Sequence, residues 1–138
     1  MLDTQPADIA KLARAIRALI IDVMPGVFEV VWVRQKVVGY GTGIKKQTEH
    51  FCWIAPQRAW VNLGFNYGSE LADPDGLLEG TGNKFRHVKV RTVADVGRPA
   101  LRKLLVAAGK HRVPPLPAAG KAGKVVSSRA SRSSASRR

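Results

Sequence analysis

Apolar residues recur at helical spacing near the start of the chain: Ile9, Leu12, Ala13, Ile16, Leu19, Ile20 and Val23 fall at i, i+3, i+4 and i+7. The spacing predicts one amphipathic helix, with Lys11, Arg14 and Arg17 turned to water. Thr4 or Gln5 would cap it, Pro6 would sit in the first turn, Asp8 would complement the helix dipole, and Pro25-Gly26 would end it. VFEVVWVRQKVV (27–38) is rich in β-branched residues and predicts a strand. GYGTGIKK (39–46) reads as a glycine-rich connection. EHFCWIA (49–55) and AWVNLGF (59–65) flank Pro56-Gln57-Arg58 and predict a hairpin. Phe51/Trp53 and Val61/Leu63/Phe65 alternate with period two, so each strand has an apolar side. KFRHVKV (84–90) predicts a further strand, and RPALRKLLVAAG (98–109) a closing helix. In that helix Pro99 suits the first turn, Leu101, Leu104, Leu105 and Ala108 form the stripe, and Gly109 stands at C′.

The polar stretch LADPDGLLEGTGNKFRHVKV (71–90) opens with the residues of a possible calcium loop. An EF-hand needs acidic ligands at positions one, three and five, glycine at six and glutamate at twelve. Asp73 and Asp75 supply two ligands, but Gly76 comes too early and Glu79 too close. The stretch therefore reads as turn chemistry without a divalent ion: Asp-Pro and Asp-Gly bend the backbone, and Gly80 and Gly82 permit positive φ. Leu77 and Leu78 would anchor the loop on the core.

Charge divides the chain. The net charge is +13, and eight of the 23 Lys and Arg lie in residues 109–138, which hold no Asp or Glu. That segment, KHRVPPLPAAGKAGKVVSSRASRSSASRR, offers too little apolar bulk to offset its ordering entropy, so it is expected to be disordered. Residues 1–108 are expected to form one domain. The tail cations Lys110, Arg112, Lys121, Lys124, Arg129, Arg132, Arg137 and Arg138 form the candidate polyanion-binding set, with nucleic acid as the first partner. No protein partner can be named. Asp8, Lys11, Arg14 and Arg17 interrupt any signal-peptide core or membrane span, which points to a soluble, cytoplasmic protein without a membrane partner.

The helix ending at proline, the hairpin, the run "LGF..G..L.DP.GLLEG.G...RHVKV" and the closing helix with LRKLL resemble the YdhG-like bacterial domains, a family known mainly as a domain of unknown function. The resemblance covers roughly residues 8–108. It implies an α+β fold in which an antiparallel sheet packs against N- and C-terminal helices, and it implies a short helix at 27–36. Some relatives are likened to frataxin, an iron-delivery protein with an acidic ridge. Here the first helix carries only Asp8 and Asp22 among three basic residues.

Of the residues able to do chemistry, His50, Cys52 and His87 are the metal candidates. On a strand, His50 and Cys52 would share a face, and three such ligands with an open fourth position would suit zinc. Cys52 inside FCWIA reads more simply as a small buried thiol. Gly39, Gly41 and Gly43 fit neither the P-loop nor the dinucleotide-binding spacing. No nucleophile elbow or spaced carboxylate pair can be made out, so no catalytic residue and no cofactor is expected. Lys84, Arg86, Lys89 and Arg91 on one strand, with Arg58, Lys45, Lys46, Trp53, Trp60 and Phe85 nearby in sequence, make a basic–aromatic set of the kind that holds single-stranded nucleic acid. Strand alternation splits that set, and the aromatics are needed for the core, so the polyanion reading is placed on the tail. Trp53, Trp60, Tyr67 and His87 are candidates to line a pocket. The sequence favours a non-enzymatic binding or adaptor module, with metal handling or an enzyme on a small ligand as alternatives.

Overall fold

A computed structural model describes residues 6–44 and 49–113 and the backbone of 125–128. The chain runs α1 (Ala7–Val23), β1 (Phe28–Trp32), β2 (Val37–Gly41), β3 (His50–Pro56), β4 (Val61–Phe65), β5 (Arg86–Val90), α2 (Val93–Val96), α3 (Pro99–Ala108) and β6 (Val125–Ser128). Among the described residues the sheet order is β5-β4-β3-β2-β1-β6, with β1 to β5 antiparallel throughout. The fold is α+β, and α1 and α3 pack on one face of that sheet.

Helix α1 buries Ile9, Leu12, Ala13, Ile16 and Ile20 along the expected stripe. Pro6 is its cap residue and does not enter the first turn; Thr4 and Gln5 lie outside the described residues. Beneath it, Val38, Tyr40, Cys52, Ile54, Val61, Leu63, Phe65, Val88 and Val90 form the core face of the sheet. A polar cluster also crosses this layer. Arg17 donates twice to Glu29 (2.6 and 3.1 Å), and the buried Tyr40 hydroxyl donates to the same carboxylate at 2.6 Å. Burial, and then the charge of Glu29, push the Tyr40 phenol far above its usual range, so it stays a donor.

Four expectations need correction. Residues 27–38 are not one strand but a hairpin, β1 and β2, around the exposed turn 33–36. Lys36 adopts φ 56 there and its N–H donates to the Val33 carbonyl. The short helix implied at 27–36 by the family resemblance does not form, because β-branched Val30 and Val31 find an antiparallel partner in Val38–Gly39. Gly39 to Gly41 therefore belong to a strand and not to a connection, while residues 45–48 of that segment lie outside the described residues. At the other end, Gly109 is helical (φ −67), and Arg112 takes the positive φ.

Helix α2 was not anticipated. Thr92 and Asp95 form a capping box, the hydroxyl accepting from the Asp95 amide and the carboxylate from the Thr92 amide. In the loop 71–83, Asp73 accepts from the Leu77 and Leu78 amides, both at 2.9 Å, and both leucines pack half-buried against the core. Gly76 and Gly80 take positive φ there; Gly82 does not. Of the tail expected to be disordered, Val125–Ser128 run parallel to Glu29–Trp32 as an edge strand, where two adjacent valines meet unpaired β1 backbone. Residues 114–124 and 129–138 lie outside the described residues.

Candidate functional site

The register places a bulge between β2 and β3. Tyr40 pairs with Cys52, but the next residue, Gly41, pairs with His50, so Phe51 is the extra residue. The consequence is a change of face. Phe51 turns into the helix-side core and His50 turns to the opposite face, which no described helix covers, with Gly39 and Trp53. The expected sharing of a face by His50 and Cys52, and by Phe51 and Trp53, is thereby undone.

On that open face, strand residues line up across the sheet as Val30, Gly39, Trp53, Gly64 and His87. The glycines alternate with large rings for a steric reason. A Cβ on Gly64 would lie 2.0 Å from the Trp53 indole, and one on Gly39 would lie 2.6 Å from His50 Nδ1 and 3.0 Å from Trp32 Nε1. Each glycine is the floor on which a ring rests. Trp32 and His50 meet edge to face with centroids 6.2 Å apart. His50 is buried and its Nε2 faces the Gly43 carbonyl at 3.0 Å. A carbonyl only accepts, so Nε2 carries the proton and Nδ1 is the acceptor in the neutral ring.

These rings wall a trough of about 290 Å³. Trp32, Val37, Trp53 and Phe85 make it mostly apolar, and Gln35, His50 and Asn66 place a few polar groups along it. Phe85 is 55% exposed, which is unusual for a ring that size. Such a volume is at the lower end of small-ligand pockets, and the mixture of apolar walls with few polar groups is typical of them.

The four pocket candidates from the sequence fare unequally. Trp53 lines the trough. Trp60 lies on the same face but at its margin, donating to Asn62 (2.8 Å) beneath Lys89, whose Nζ is 4.6 Å from the ring centroid. Tyr67 lines a separate crevice with Phe51, Leu71, Ala108 and His111 that has no room for a water molecule. His87 is half-buried and its backbone pairs with Glu79. Trp32, Gln35 and Asn66 went unrecognised as pocket residues. The available signal was glycine inside a strand pattern, which marks close approach by another group.

The metal candidates are kept apart. Cys52 is fully buried in the helix-side core, where burial pushes its thiol pKa up, and His50 stands on the other face. His87 is on β5, with β4 between it and β3. Among the described residues no three His, Cys, Asp or Glu side chains gather as a metal site. Of the tail cations, Lys110 is exposed and Arg112 donates to Glu70 at 2.7 Å while lying over Tyr67. Lys121, Lys124, Arg129, Arg132, Arg137 and Arg138 lie outside the described residues. His111 also meets Glu70 at 2.7 Å, and the hydrogen bonds from His111 and Arg112 hold the Glu70 carboxyl below its usual pKa. No described helix is long and apolar enough to cross a membrane.

Compared with protein-family models, with curated proteins and with solved structures, the chain shows no match.

Proposed function

We propose that the protein is a non-enzymatic binding module that holds a planar, largely apolar group in the trough on its open sheet face. The observation that carries this reading is the trough itself, with three aromatic walls, a glycine floor at Gly39 and few polar groups. Gln35, exposed in the β1–β2 turn, carries an amide able to donate to or accept from a ring edge, while the Nε2 of His50 is engaged by Gly43. The metal-handling and enzymatic readings have no comparable support, since Cys52 lies on the core face and His87 stands two strands from His50. The YdhG-like resemblance belongs to the same proposal and rests on residues 8–108 alone.

Thermal unfolding with indole, quinoline or adenine tests it. A fragment at about ten times its Kd adds about 1.4 kcal/mol to stability, a rise in Tm of about 5 °C for a domain this size. At least one fragment should produce that rise, and Phe85→Ala should diminish it. No rise with any of the three, or a rise indifferent to Phe85→Ala, overturns the reading.

A further inference from the structure

The trough is not a round cavity; it crosses the sheet. Its walls come from β1 (Trp32), β2 (Val37, Gly39), β3 (His50, Trp53), the residue after β4 (Asn66) and the residue before β5 (Phe85). Four inter-strand spacings of about 4.8 Å make its span about 19 Å. Cations stand at both ends. Arg34 and Lys36, both exposed, flank Gln35 in the β1–β2 turn. At the β5 side, Lys89 lies on the same face over Trp60, whereas Lys84 is turned to the helix side, its Nζ 5.7 Å from the Tyr67 ring centroid. No Asp or Glu lines the trough among the described residues.

Resting on the pocket reading above, we propose that the trough binds single-stranded nucleic acid, its bases stacking on Trp53 and Phe85 and its phosphates meeting the cations at either end. Aromatic platforms interleaved with cations are the physical means of holding a single strand, because every base offers a π-face and every linkage a charge. The span decides for a strand over a free nucleotide: one nucleotide cannot reach positive groups about 19 Å apart. Unpaired bases are required, since a duplex keeps its π-faces stacked inside. The assignment of the aromatics to the core, which directed the polyanion reading to the tail, does not hold. Trp53, Trp60 and Phe85 all lie outside the core cluster. Alternation also leaves Phe85 and Lys89 on one face.

The test uses full-length protein and labelled strands of about twelve nucleotides, a length within the usual site size, beside a duplex of equal length. Phe85→Ala should weaken single-strand binding about 5- to 150-fold and change duplex binding less than about twofold, since duplex affinity comes from phosphate contacts. Arg34→Glu combined with Lys36→Glu, both on an exposed turn, should flatten the single-strand log–log salt slope by about 1.4. Equal binding of strand and duplex, with both variants unchanged, overturns the proposal. If indole, quinoline or adenine still raises Tm through Phe85, the pocket reading survives that failure. If neither fragments nor strands respond to Phe85→Ala, both fall together.

Discussion

At the scale of single residues, the account turns on glycines that make room for rings. Gly64→Ala places a Cβ 2.0 Å from the Trp53 indole, a distance no side chain tolerates, so the ring must leave the trough wall. The expected cost is about 1–3 kcal/mol, measured by urea unfolding, with a shifted Trp53 emission. A neutral substitution would show that the ring does not rest there. Cys52 makes the opposite case, buried in the core with its thiol held protonated. It should react with a thiol reagent only on global unfolding; rapid labelling of the native protein would contradict the packing. Cys52 was legible as a quiet core thiol because FCWIA is apolar throughout. The facing of His50 was not legible, because a period-two reading cannot register the extra residue Phe51 that a bulge introduces.

At the scale of elements, strong periodicity was legible and short-range polar chemistry was only partly so. Helices α1 and α3 and strand β4 follow their apolar patterns, and β3 pairs with β4 as expected although its bulge splits Phe51 from Trp53. The β1–β2 hairpin was read as one strand because Val33 and Lys36 carry no turn signature, and a non-glycine residue at φ 56 is seldom foreseen. Helix α2 escaped notice for its length, although its Thr-x-x-Asp cap is a local signal. Asp73 organises the 71–83 loop through two backbone amides, so Asp73→Ala should cost about 1–2 kcal/mol and expose the loop to proteolysis. Asp95 carries a pH signature. Hydrogen bonds from the Arg91 and Thr92 amides hold its carboxyl below the usual value, so the unfolded chain takes up the proton first. Its contribution should be full above pH about 3.9 and fade as pH falls through the lower folded value. Wild-type and Asp95→Asn melts should therefore converge in acid and differ near neutrality; a constant difference would remove the cap from the account.

At the scale of the whole molecule, a helix-covered sheet face and an open aromatic face divide the labour between stability and binding. The sequence pointed to the first face through its apolar alternation, but the second depends on cross-strand neighbours such as Gly39 beside Trp53, which only register reveals. The basic tail makes a separate, sequence-blind contribution. His111 and Arg112 hold Glu70, so truncation should follow Val113, leaving six of the eight tail cations to be removed. With about five phosphates neutralised, full-length protein should show a duplex salt slope near −4.5. The truncated domain, which also loses the edge strand β6, should lose most of that slope and keep a cooperative melting transition at a lower temperature; undiminished duplex binding would clear the tail of any role. The central claim, that the open-face trough is the binding site, is tested most directly by the indole N–H resonances of the three tryptophans during titration with adenine or a short single strand. Trp32 and Trp53 line the trough and Trp60 lies at its margin, so the account predicts saturable shifts at Trp32 and Trp53 that exceed any at Trp60. Shifts confined to Trp60, or none at saturating ligand, would contradict it.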